Sequence, residues 1–173
     1  TYAKEVLGKE SKKEVYDKTK IEPTVFSKIV DYQNYYVHIT KISPQTFDEF
    51  QQAVNEVADN KNLNTLILDL RNNIGGAVDI MPYFLGPFIG PNQYAYEFFH
   101  QGEHTPYKTK VGWLSSMIKY KKVIVLINGN TQSSAEIMAA TLKKYNVGVL
   151  IGETTKGWGT IEKPFEIKNQ ISD

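Results

Sequence analysis

Cysteine is absent from this 173-residue chain. That excludes disulfides, thiol nucleophiles and thiolate metal sites, and leaves the compartment open. Histidine is scarce: His38, His100 and His104 are the three. They show no HExxH spacing and no paired-ligand pattern, so no metal site is expected. The glycine patterns that cradle phosphates, GxGxxG and the P-loop, are missing. Gly157-Trp158-Gly159 is a lone Gly-x-Gly without strand-to-helix context, and no cofactor is expected. No run of about 18 apolar residues occurs, so no membrane-spanning helix is expected. No signal-peptide pattern is visible. An excess of one charge is lacking as well: 20 Lys and Arg face 19 Asp and Glu. The basic residues look scattered, with short clusters at Lys12-Lys13, Lys121-Lys122 and Lys143-Lys144. That balance gives no reason to expect nucleic acid or an anionic membrane as partner. Internal repeats and low-complexity tracts are not evident.

What is present suits one globular α/β domain. Hydrophobic residues make up 41% of the chain and charged residues 23%, enough for a packed core. The pattern predicts a strand at Tyr35–Ile42, then Ser43-Pro44 as N-cap and first turn of a helix burying Phe47, Phe50, Val54 and Val57. Asn60-Lys61-Asn62 closes that helix and a buried strand follows at Thr65–Leu70, a βαβ crossover if the strands are parallel. A further helix is predicted from Ala77, carrying Ile80, Phe84 and Leu85 and ending at Gly86-Pro87. Tyr94–Phe99 reads as an aromatic edge or core strand, with Trp113 joining the aromatic cluster around Tyr107. The segment around Gly102, with His100 and His104, reads as a hairpin or loop. Lys13–Tyr16 and Thr24–Val30 read as short strands of a preceding layer, and Thr160–Ile167 as a last strand. Residues 1–33 are thus expected to be an N-terminal segment, the remnant of a preceding module, and residues 34–173 a core cut short at its C-terminus.

Two stretches carry chemistry. Val123–Ile127 is a buried-strand pattern, followed by Asn128-Gly129-Asn130-Thr131-Gln132-Ser133-Ser134-Ala135-Glu136. A helix with Ala135, Met138, Ala139 and Leu142 on one face comes next. Two serines therefore stand where free N–H groups and the positive end of a helix dipole gather. A hydroxyl there can attack a carbonyl while N–H groups hold the oxyanion. The plainer role is a helix cap. The second stretch, Leu66-Ile67-Leu68-Asp69-Leu70, runs into Arg71-Asn72-Asn73-Ile74-Gly75-Gly76. A double glycine after a strand lets backbone approach a ligand closely; it is equally a common helix-entry loop.

With Val149-Leu150-Ile151-Gly152-Glu153-Thr154 and Gly157-Trp158-Gly159-Thr160, these stretches resemble the C-terminal processing peptidases, also called tail-specific proteases. The resemblance runs in order through about residues 34–167. It implies a serine peptidase with a crotonase/Clp-protease-like core of βαβ units, a sheet packed with helices, and a polypeptide substrate. An extracytoplasmic or cell-envelope location is suggested by that resemblance alone. It places the nucleophile at Ser133, three residues before Glu136, and the oxyanion hole at the N–H of Ser134 with that of Gly75 or Gly76. A peptide-binding PDZ module often accompanies such cores, but none fits in about 30 residues.

The departures from the family pattern matter as much. The general-base Lys of these relatives falls at Trp158, and the Gln supporting it falls at Glu162. Indole nitrogen is a donor only and cannot take a proton from a hydroxyl. Lys156, two residues earlier, is a replacement only if desolvation or a cationic neighbour lowers its pKa. Histidine is the natural partner for serine, but His38 alternates with Tyr35, Val37 and Ile39 and is expected to face away from them. Glu136 is expected to orient the helix start, and Asp69 with Arg71 to pin a loop. Two functions follow: a peptidase whose base comes from elsewhere, or a non-catalytic peptide- or ligand-binding module with Trp158 filling the base's space. A crotonase-like enzyme acting on a thioester is a weaker third.

Overall fold

The computed structural model describes residues 22–161. Seven strands and four α-helices follow one another among the described residues: β1 (Val25–Ile29), β2 (Asn34–Ile39), α1 (Thr46–Glu56), β3 (Thr65–Asp69), α2 (Met81–Phe84), α3 (Gly86–Ile89), β4 (Tyr94–His100), β5 (Glu103–Lys108), β6 (Lys122–Ile127), α4 (Ser134–Lys144) and β7 (Gly148–Gly152). Five strands form one sheet in the order β1-β2-β3-β6-β7, and β4-β5 form a separate hairpin. The pairs β2-β3, β3-β6 and β6-β7 are parallel, while β1 lies antiparallel on β2. β2-α1-β3 and β6-α4-β7 are therefore parallel βαβ units. β1, within the N-terminal segment, joins the same sheet as the core.

Alternation along each strand sorts the side chains. Tyr35, Val37 and Ile39 of β2, Leu66 and Leu68 of β3, and Val123 and Val125 of β6 are buried on one face. α1 lays Phe50 and Val54 over them, and α4 adds Met138, Ala139 and Leu142, all buried. Phe47 and Val57 pack at the margin of this core. Phe50 sits between Phe84 and Phe88, at ring-centroid distances of 5.0 and 5.7 Å.

Several sequence-based boundaries move. α1 begins at Thr46 with Gln45 as N-cap, two residues past Ser43-Pro44. The Thr46 hydroxyl accepts the Ser43 N–H at 2.9 Å and the Thr46 N–H reaches the Ser43 carbonyl at 3.0 Å, a closed turn that delays the helix. The predicted helix from Ala77 is a 3-10 turn, Val78–Ile80, followed by two short helices. Gly86-Pro87 does not end it; the pair opens α3, where proline's missing N–H costs nothing. Trp113 does not join the Tyr107 cluster, which is Tyr96, Phe98 and Tyr107 with centroids 4.9–5.3 Å apart. Its ring instead lies against Gly90. Thr160 and Ile161 carry no strand. The remainder of that predicted strand, the predicted strand at Lys13–Tyr16, and Glu162 lie outside the described residues.

The topology decides where chemistry sits. β3 and β6 are neighbours and parallel, so the loops leaving their C-terminal ends, Arg71–Ala77 and Asn128–Ser133, lie side by side. Crevices at the carboxyl ends of parallel strands are where α/β folds bind ligands.

Candidate active site

The two loops are stitched together by side chains. Asn73 is fully buried. Its amide donates to the Ile39 carbonyl at 2.8 Å, and its Oδ1 accepts the Gly75 N–H at 2.8 Å. Its own carbonyl accepts the Gln132 N–H at 2.9 Å, directly before Ser133. The Thr131 hydroxyl donates to the Leu70 carbonyl, and Asn128 and Asn130 both donate to Asn72 Oδ1. Asp69 holds the base of the Arg71 loop. Its carboxylate takes Arg71 Nε at 2.9 Å, Arg71 Nη2 at 2.6 Å and the Tyr36 hydroxyl at 2.6 Å. Burial opposes the Asp69 charge, but Arg71 and Tyr36 outweigh it and hold the carboxyl below the usual carboxylate range.

Ser133 is the N-cap of α4, with φ 52° and ψ −125°. That is a conformation L-residues rarely adopt, and such strain clusters at functional sites. It lines a groove of about 550 Å³ with Gly76, Asp79, Gln132, Trp158 and Thr160. A second groove of about 310 Å³ meets it at Ser133 and Trp158 and is walled by Val78, Tyr96, Phe98 and Ile137. Ser134 is different: it is fully buried and its hydroxyl has no hydrogen-bond partner among the described residues. Of the two serines, only Ser133 faces a groove.

Donors for an oxyanion are at hand. The Ser134 N–H opens α4 and the Gly76 N–H follows the turn; neither makes a hydrogen bond within the described residues. The Gly75 N–H is taken by Asn73, which leaves Gly76 as the donor of the pair. Both glycines are required by close approach. A Cβ on Gly75 would lie 2.8 Å from the Ser133 Cβ, and one on Gly76 2.0 Å from the Ile42 carbonyl oxygen.

Glu136 joins this serine to the next loop. Its carboxylate accepts the N–H of Ser133 at 2.9 Å, of Gly157 at 2.7 Å and of Trp158 at 2.9 Å. Burial pushes its pKa up, but the Thr155 hydroxyl and those three N–H groups prevail and hold it below the usual carboxylate value. A depressed carboxylate stabilises the fold fully above its unfolded pKa, and that contribution is lost as pH falls through the lower folded value. Glu136→Gln is therefore expected to cost about 1–2 kcal/mol at neutral pH and to weaken the acid dependence of stability, as read by chemical denaturation at pH 7 and pH 3.5. Ser133→Gly is expected to raise stability by about 1 kcal/mol, because relief of strain exceeds the loss of a cap hydroxyl. The thermal midpoint of the variant checks this.

Trp158 is half exposed, its indole N–H donating to the Thr160 hydroxyl. Lys156 is exposed and anchored by its backbone, whose N–H reaches the Thr131 carbonyl. His38 points to the outer face of the sheet, opposite the buried Tyr35, Val37 and Ile39. His104 sits 3.5 Å from Glu97 on the β4-β5 hairpin, with His100 at its tip. Among the described residues no titratable side chain makes a hydrogen bond to the Ser133 hydroxyl. The stitching residues Asn73, Tyr36, Asn128 and Thr131 escaped sequence reading. The available signal for Asn73 was an amide inside a strand-to-glycine turn.

Known proteins resemble this chain over most of its length. The model of peptidase family S41 matches residues 35–172. The chain is 33% identical over 141 residues to the carboxy-terminal processing protease CtpA of Bacillus subtilis, spanning 80% of this chain and 29% of that protein. It is 29% identical over 138 residues to carboxyl-terminal-processing peptidase 3, chloroplastic, of Arabidopsis thaliana, spanning 78% and 25%. The chain thus spans under a third of the length of these relatives. Among solved structures, the photosystem II D1 C-terminal processing protease shares the fold with a TM-score of 0.68 at 22% identity, over 88% of this chain and 41% of that one. A lipoprotein from Streptococcus agalactiae does so at 0.66 and 22%, over 92% and 59%.

Proposed function

The chain belongs to peptidase family S41, and from that premise we propose that it is the core of a serine-type peptidase cutting polypeptides near their C-terminal tails, with Ser133 as nucleophile. The carrying observation is Ser133 itself: a strained N-cap serine, facing two grooves, beside two N–H groups that make no hydrogen bond among the described residues. In this reading the Ser133 hydroxyl attacks the scissile carbonyl, and the N–H groups of Ser134 and Gly76 hold the oxyanion. Glu136 acts as a positioning residue, fixing the backbone of Ser133 and the Trp158 loop in one arrangement. The general base lies outside the described residues or comes with a conformation that brings Lys156 inward. An extracytoplasmic location belongs to the same proposal, on resemblance alone.

A second reading, a binding module without hydrolysis, is supported by two points: the resemblance puts Trp158 where the family pattern has its lysine, and among the described residues no titratable side chain makes a hydrogen bond to the Ser133 hydroxyl. Incubation with peptides of different C-terminal tails, followed by mass spectrometry of the products, separates the two. Cleavage close to the C-terminus supports the peptidase. Peptides that bind and stay intact support the module.

A further inference from the structure

The overall charge balance conceals a segregation. No Asp or Glu occurs between Glu103 and Glu136, a stretch with five lysines. Two of its apolar side chains stand out in solvent: Trp113 is 63% and Ile118 73% exposed. Both line one groove of about 390 Å³, whose floor is Pro87, Phe88, Met117, Tyr120, Val123 and Val147. Trp113 is held rather than dangling. Its ring packs so closely on Gly90 that a Cβ there would lie 2.5 Å from it.

Lysines stand close in sequence to two of its lining residues, Val123 and Val147. Exposed Lys121 and Lys122 precede Val123 at the start of β6. Exposed Lys143 and Lys144 end α4, three residues before Val147. Lys119 and Lys144 are not part of this set: the Lys119 ammonium is tied to the carbonyls of Val57 and Asn60, and the Lys144 ammonium lies over the Tyr94 ring, 4.3 Å from its centroid. The site lies at the other end of the sheet. β6 runs from Lys122 to Ile127 and Ser133 follows, so the two surfaces are separated by about 17 Å of strand.

We propose that this face docks on an anionic lipid surface, with Trp113 and Ile118 entering the interface and Lys121, Lys122 and Lys143 meeting the headgroups. Tryptophan combines an apolar ring with a polar edge and favours the headgroup level. Lysine supplies long-range attraction to anionic lipid, and its apolar stem can lie along the groove wall. A single apolar contact binds a bilayer weakly, whereas apolar insertion combined with a basic patch binds it stably. An acidic protein would satisfy the lysines but would give no reason for two apolar side chains to project between them. Docked this way, the Ser133 grooves face away from the membrane. The proposal does not depend on whether Ser133 is catalytic.

The test is sedimentation of the full chain with vesicles of phosphatidylcholine containing about one third phosphatidylglycerol, against pure phosphatidylcholine vesicles. Binding to the anionic vesicles is expected at low salt, weakening as salt rises. Lys121→Gln with Lys122→Gln should lower it about fivefold per lysine. Trp113→Ser with Ile118→Ser should abolish it with the far-UV circular dichroism unchanged. In a Trp158→Phe background Trp113 is the sole indole, and its emission should shift to the blue on anionic vesicles. Equal binding to neutral vesicles would overturn the proposal. So would no binding at low salt, or binding indifferent to Trp113 and Ile118. Self-association without lipid that the Trp113 and Ile118 changes abolish would assign the face to a second copy instead.

Discussion

Ser133→Ala is expected to abolish peptide hydrolysis while the chain stays folded. Removing a nucleophile leaves only what binding and an oxyanion hole can do for water. Ser133 is not a core residue: it faces two grooves, and its strained φ is set by backbone contacts with Glu136 and by the turn from Gln132. Alanine inherits the strain and loses only the hydroxyl, so the thermal midpoint should move by a degree or two. Ser134→Ala provides the contrast. That hydroxyl is buried and unpaired among the described residues, so its removal should leave hydrolysis within about twofold and stability unchanged or slightly higher. Product formation measured for both variants checks the pair. Ser134→Ala as the more damaging change would reverse the assignment.

The second large effect concerns Trp158. Replacing it by lysine is expected to raise turnover by about 10²–10⁴-fold, the usual worth of a positioned general base. The position is already prepared. The Trp158 N–H and the Ser133 N–H are bonded to the same oxygen of Glu136, each at 2.9 Å. Its side chain lines both grooves that meet at Ser133. Indole offers no lone pair to a hydroxyl, whereas a neutral amine does. The lysine must lose its proton to act, so the rate should climb with pH and level off above the pKa of the introduced amine. A bound peptide covering the groove would lower that pKa by desolvation. Glu162, where the family pattern has glutamine, opposes this if its carboxylate approaches the amine, so Trp158→Lys with Glu162→Gln should be the more active. Unchanged turnover and a flat pH profile in both variants would mean that position 158 is not the place of a base.

The separate fates of Ser133 and Asn73 explain how much was legible in the sequence. The strands β3 and β6 announce themselves because buried parallel strands are continuous apolar runs, and α4 because Ala135, Met138, Ala139 and Leu142 keep one face. The serine at their junction follows from local order alone. Asn73 does not, because its role is to bridge Ile39, Gly75 and Gln132, residues up to 59 positions away. Its type is compatible with any loop. The N–H of Gly75 looked as available as that of Gly76 until Asn73 occupied it. The 3-10 turn Val78–Ile80 and α2 read as one helix because Ile80, Phe84 and Leu85 keep helical spacing, and Gly86-Pro87 reads as its end although the pair opens α3. Periodicity reports which face is buried and not where the backbone breaks. The lysine-bearing face was missed for a related reason. Net charge sums over the chain, while the fold gathers Lys121, Lys122 and Lys143 at one end of the sheet.

In the peptidase reading Ser133 is an activated hydroxyl served by backbone N–H donors. The most direct measurement is reaction of the chain with a fluorophosphonate, followed by peptide mapping of the modified residue. A single adduct at Ser133, absent in Ser133→Ala and formed faster in Trp158→Lys, is the predicted result. No adduct under conditions that modify a known serine peptidase, or an adduct elsewhere, would contradict the claim and leave the grooves as a peptide-binding surface.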